Sequence, residues 1–177
     1  MILGMTTATF TLVHVLISLL GIGSGLVVMY GFFIAKKLDR WTIVFLVTTA
    51  ATSLTGFAFP NEHITPGIVI GVLSLIVLTI AVIARYGRQL KGWSRPVYVV
   101  STAVALYFNV FVFVVQSFEK VPSLRALAPT QKEPPFAVAQ GLVLVLFVTA
   151  MVFALRRFQP YSAVSGSLSP ASAKRAA

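Results

Sequence analysis

A chain of 177 residues that is 58% hydrophobic and 10% charged, with a mean hydropathy of +0.93, carries more apolar side chain than a soluble domain of its size can cover with polar surface. Its net charge of +10 would suit nucleic acid in a soluble protein. Here the cations lie between long apolar runs, where they orient spans, so nucleic-acid binding is set aside. The absence of cysteine excludes disulfides, thiolate metal sites and thiol nucleophiles.

In chain order, the pattern predicts an all-α polytopic membrane bundle of five spans, occupying residues 1–157 as one transmembrane domain. The N-terminus lacks the basic start of a cleavable signal, and its apolar run outlasts an ordinary signal core of about 7 to 15 residues. The first span, about 10–35, is therefore expected to be retained; Lys36, Lys37 and Arg40 close it, with Asp39 the one opposing charge. Trp41 opens a second span, about 41–59, as an interfacial anchor. A short turn through Asn61, Glu62 and His63 leads to Pro66, which suits the first turn of a helix. The third span, about 66–85, runs into a loop with Arg85, Arg88, Lys91 and Arg95, flanked by Tyr86 and Trp93. A fourth span covers about 97–118. The loop from Glu119 to Pro135 is rich in proline, and a fifth span, about 136–155, stops at Arg156 and Arg157. Residues 158–177, rich in Ser, Ala and Pro, read as a disordered cytoplasmic tail.

Orientation follows from the cations. Of the 14 Lys and Arg, all but Lys120, Arg125 and Lys132 fall on one side of the expected bundle. That side is cytoplasmic by the positive-inside rule, which places the N-terminus out and the C-terminus in.

Within the spans, small and polar residues repeat at helical spacing. His14, Ser18, Gly21 and Gly25 form one stripe; Thr48, Thr52 and Thr55 another; Gly67, Gly71 and Ser74 a third. Thr102, Asn109 and Gln116 recur every seven residues on the fourth span. A carboxamide facing lipid would leave its hydrogen-bonding groups unpaired, so Asn109, Thr102 and, on the fifth span, Gln140 are expected to serve as interhelical polar contacts. Threonine and serine also satisfy their own helix backbone, so packing is the plain reading of the hydroxyl stripes.

Chemistry concentrates at the outer end. The topology puts His14, His63 and Gln116 at similar depth, with Glu62, Glu119 and Glu133 nearby, and together they could line a shallow cofactor-binding pocket. Two histidines are the minimum for axial ligation of haem b, and with Glu62 or Glu133 they could hold a transition metal. A quinone or other apolar ligand would need only a cleft with His14, Gln116 or Tyr107. None of the four acids lies inside a span, which weighs against coupled transport. There is no His-Glu-x-x-His, no Gly-x-Ser-x-Gly and no phosphate loop, so the balance is against an enzyme.

The segments GFAFPNEHITPGIVIGVLSLIVLTIAVIARY and ALYFNVFVFVVQSFEKVPSLRALAPTQKEPPF resemble a family of small bacterial integral membrane proteins without an established activity. The likeness runs from about Val13 to Phe158 and implies a multi-pass protein of the bacterial inner membrane. The leading expectation is a structural or accessory membrane protein, embedded in the bilayer beside other membrane subunits or binding a small apolar ligand. The alternative is a haem b- or quinone-binding redox subunit, and a small-solute transporter ranks third.

Overall fold

The computed structural model describes residues 2, 4–59 and 65–159. Apart from one isolated bridge between Ile2 and Met5, its regular structure is entirely helical. The helices are α1 (Thr7–Phe33), α2 (Asp39–Phe57), α3 (Pro66–Val82), α4 (Ser94–Lys120), a short α5 (Pro122–Leu127) and α6 (Pro134–Arg157). A π turn, Ile83–Gly87, extends α3.

Helix ends follow local chemistry. The Thr6 hydroxyl accepts from the Thr9 amide at the start of α1, and Thr65 does the same for Ile68 at α3, where Pro66 occupies the first turn. Glu133 starts α6; desolvation pushes its carboxyl up, but bonds from its own backbone, Thr130 and Lys132 together outweigh that and hold it below the usual range. The proline-rich loop 119–135 contains α5 because Pro122 presets a first helical turn.

Among the described residues, four helices are long and apolar enough to cross a membrane: α1, α3 with its π turn, α4 and α6. The second expected span, 41–59, forms α2, which is helical but diluted by Thr42, Thr48, Thr49, Thr52, Ser53 and Thr55. It packs antiparallel along α1. His14 meets Thr55, Gly21 lies against Thr48 and Thr49, Gly25 against Phe45, and Gly31 against Leu38, so rising numbers in one helix meet falling numbers in the other. α4 is the central helix, touching α1, α3, α5 and α6. The core gathers toward one end, where α1, α3 and α6 finish and α2 and α4 begin: Val28, Phe32, Phe45, Leu78, Ala84, Tyr98, Leu106 and Phe158 pack there. It is the end that carries most of the cations.

Phe158 is completely buried and stacks on Phe32 with centroids 4.8 Å apart, so ordered packing continues past Arg157. The rest of the expected disordered tail, from 160 on, lies outside the described residues.

The α1–α2 seam depends on missing side chains. A Cβ on Gly25 would lie 2.5 Å from Leu106 Cδ1 and 2.8 Å from the Phe45 ring, both fully buried, whereas one on Gly23 would meet nothing within 4 Å. Gly25→Ala is expected to lower the thermal midpoint of the detergent-solubilised protein, since overpacking costs about 1–3 kcal/mol. Gly23→Ala should hold or raise it, Ala being better by about 1 kcal/mol in a helix. Circular dichroism melts check this; coincident curves for the two variants would contradict the seam.

Candidate functional site

Three polar sites lie along the bundle. At the cation-rich end, the π turn adds a residue to the last turn of α3 and carries Arg85 inward, with the Arg88 amide bonding back to Ile83 O at 2.9 Å. Arg85, read from sequence among the loop cations, is only 6% exposed. Guanidinium stays charged, so it must be paired. Nη2 reaches the Asp39 carboxylate at the start of α2, Nη1 donates to Tyr98 Oη at 2.8 Å, and the charge sits 5.0 Å from the Tyr98 ring and 5.5 Å from that of Tyr86.

The bonds around Tyr98 run in one direction. Its oxygen accepts from Arg85, so its own proton points to Thr42 Oγ1, 3.4 Å away, while Thr42 donates onward to Leu38 O at 3.0 Å. Tyr98 is fully buried, edge-on to Phe32 at 5.5 Å. Next to this knot, Arg95 Nη1 donates to the carbonyls of Leu155 and Phe158, satisfying the end of α6. One cluster thus ties together α2, the π turn and α4, and Arg95 adds α6.

Midway along the bundle, Asn109 Nδ2 on α4 donates to Thr49 Oγ1 on α2 at 2.9 Å. The contact is possible because Gly21 of α1 leaves room: a Cβ there would sit 3.3–3.4 Å from Thr48 Oγ1, Thr49 Oγ1 and Asn109 Nδ2. Farther toward the opposite end, Gln140 on α6 donates to Phe111 O at 3.2 Å, while Thr102, nearer the start of α4, is buried.

Toward the opposite end lies His14, whose Nδ1 is 2.8 Å from Thr55 Oγ1. Thr55 commits its proton to Ala51 O at 2.7 Å, so His14 Nδ1 must be the donor. That assignment leaves Nε2 as a basic lone pair. The ring stands edge-on to Phe59 at 5.3 Å, and Phe59 in turn against Phe10 at 5.1 Å. Gln116 is exposed on α4, and no hydrogen bond joins it to His14. His63, with Asn61 and Glu62, lies outside the described residues. Among the described residues no cluster of three His, Asp or Glu side chains could hold a metal, and Glu133 is engaged by Thr130 and Lys132.

Two depressions of about 370 Å³ open at the ends of the bundle. One lies under the proline-rich loop between Phe118, Arg125 and Gln131; the other is lined by Gly87, Arg88, Gln89 and Lys91.

No family profile, curated protein or solved structure matches the chain. The local geometry therefore carries the functional reading.

The Arg85 knot escapes a reading of the sequence because a cation beside a span is counted by side and not by depth. The usable signal is Asp39, the lone acid at an end crowded with cations. The pair is unequal: the Arg85 side chain is 5% exposed and that of Asp39 is 73% exposed. Asp39→Asn should therefore cost less than the roughly 3–5 kcal/mol of breaking a fully buried pair, but more than the about 1 kcal/mol of a surface one. Tyr98→Phe, which removes an acceptor from a charged donor, should cost about 1.5–3 kcal/mol. Chemical unfolding of the two single variants and the double variant checks this. Additive losses would mean that Asp39 and Tyr98 do not act through one guanidinium.

Proposed function

We propose that this chain is a five-span protein of the bacterial inner membrane, N-terminus outside and C-terminus inside, with a structural or accessory role among other membrane subunits. One observation carries the reading: three polar side chains within the helices are spent on neighbouring helices, and most of the hydroxyls on their own helix. His14 binds Thr55, Asn109 binds Thr49 and Gln140 binds Phe111 O, while both depressions sit at the ends. A bundle so arranged is held together internally and meets other molecules at its surfaces.

Counting α2 as a span is supported by its partner. α2 lies antiparallel along α1, and its 19 residues give about 28 Å at 1.5 Å per residue, close to the roughly 30 Å hydrocarbon thickness. If α1 crosses, a helix paired with it through most of its length crosses too. Residues 1–157 then form one membrane domain, followed by a cytoplasmic tail. The cation bias supports the orientation, and the likeness of whole segments to bacterial membrane proteins supports the location. α6, the least covered of the four apolar helices, offers Leu142, Val145 and Leu146 to lipid or to another subunit.

Two fusions test the topology. A phosphatase active only outside the cytoplasm should be silent after Gln159 and active after Lys132. Activity at the first position, or silence at the second, would remove the five-span arrangement.

A second reading rests on the Nε2 lone pair of His14, which suits axial ligation of a haem b or a hydrogen bond to a quinone. Purified protein would then show a Soret band that disappears in His14→Ala. A colourless preparation from haem-replete cells rules out the haem form.

A further inference from the structure

The loop after the π turn is built in a manner that chain connection alone does not require. Gln89, Leu90 and Gly92 have φ of 50°, 58° and 53°. For the two non-glycine residues this left-handed backbone costs on the order of 1–2 kcal/mol each, so something must hold it. Leu90 does: it is 4% exposed in the core, and its amide donates to Ala84 O at 3.2 Å. Lys91 N donates to Arg88 O at 3.1 Å, closing the turn.

Pinned in this way, the loop sets Arg88 and Lys91 on one shallow depression of about 370 Å³, with Gly87 and Gln89 completing its wall. No carboxylate lines it. Of the acids at described positions, Asp39 is taken by Arg85, and Glu119 and Glu133 belong to the opposite end. Two aromatic residues flank the loop, Tyr86 at 49% exposure and Trp93 at 86%. A tryptophan so exposed beside a lysine suits the boundary between headgroups and acyl chains.

We propose that this depression is a headgroup site for an anionic phospholipid, in which Arg88 and Lys91 hold the phosphate and Trp93 lies against the glycerol and upper acyl chain. The proposal rests on the membrane reading above and adds a ligand class to it. A phosphate ester is the shared chemistry of lipid and soluble candidates, and the flanking aromatic residues favour lipid. Each basic residue near an anionic membrane surface is worth about fivefold in affinity.

Trp93 supplies its own reporter. The chain has two tryptophans, and Trp41→Phe leaves one. The variant is reconstituted into phosphatidylcholine vesicles with a minor fraction of lipid brominated in its acyl chains, borne either by phosphatidylglycerol or by phosphatidylcholine. At equal mole fraction the phosphatidylglycerol-borne bromine should quench Trp93 more strongly. The preference should fall about fivefold with each of Arg88→Gln and Lys91→Gln. Lys36→Gln, which removes an equal charge elsewhere at the same end, should leave it nearly intact, and millimolar inorganic phosphate should not compete.

Equal quenching by both lipids would overturn the proposal, as would a preference that Lys36→Gln lowers as much as Arg88→Gln. Competition by inorganic phosphate would make the site one for a soluble anion, which also overturns it. Failure of the protein to float with vesicles would instead sink the membrane reading. If Trp41→Phe does not fold, native mass spectrometry of the unaltered protein, released from mixed-lipid micelles, reads the same preference as retained phosphatidylglycerol over phosphatidylcholine. The expected result is again selective retention that Arg88→Gln reduces.

Discussion

A guanidinium that cannot lose its proton has been carried into the packed end of an apolar bundle, and much of the structure arranges itself around that fact. Arg85 needs an anion, so the start of α2 is held where Asp39 can reach it. It needs further acceptors and a polarisable surface, so Tyr98 fixes the start of α4 with both its hydroxyl and its ring. Tyr98 in turn stands edge-on to Phe32 and lies near Phe158, which brings in α1 and α6. The cluster of buried hydrophobic side chains surrounds this group. A buried charge does not by itself stabilise a fold relative to apolar packing. It does discriminate, because a bundle assembled with its helices in another register would leave the guanidinium unpaired.

α2 shows how an unpromising helix can belong in such a bundle. Its composition is less apolar than that of its neighbours, yet Phe45 and Thr49 are fully buried. The two facts have one cause. Thr42, Thr48, Ser53 and Thr55 donate to carbonyls three or four residues earlier in the same helix, so their hydroxyls need no outside partner. Short side chains also let the glycines of α1 come close, so that many small dispersion contacts add up along the seam. A helix covered by α1 on one side and α3 on another leaves less of its own surface uncovered, and can carry more oxygen.

How much of this is legible in the sequence divides along physical lines. Helicity, apolar length and the small-residue faces of α1 follow from composition and the 3.6-residue period, which are properties of one segment at a time. Depth is different. Arg85 sits at the edge of an apolar run, where a cation ordinarily marks the boundary; one extra residue in a turn decides whether it faces water or core, and no periodicity announces a π turn. His14 illustrates the same limit at the other end. The spacing puts it on the face with Gly21 and Gly25, but its partner, Thr55, comes from another helix 41 residues away. The expected meeting of His14, His63 and Gln116 rests on depth alone, and depth leaves the angle about the bundle axis undetermined. Composition assigns Phe158 to a tail because the residues after it are small and polar, although one aromatic residue after two arginines has reason to turn back toward the core.

The uneven distribution of the core bears on function. At the cation-rich end five helix termini converge on aromatic side chains and a paired charge, whereas among the described residues fewer are buried toward the opposite end, Phe10, Ser53, Phe118 and Ala128 among them. Dense packing leaves the cation-rich end little room to rearrange. The strained turn at Gln89 and Leu90 is anchored directly in that rigid part, through Leu90, so the cations beside it are held in place and not merely tethered. His14, by contrast, is half-buried, edge-on to Phe59, and its tautomer is set by a single hydroxyl. A recognition surface for something abundant and always present, such as a membrane lipid, belongs on the first kind of ground. A group that must accept a ligand or a proton belongs on the second, where a half-buried ring held by one hydrogen bond keeps its other nitrogen unspent.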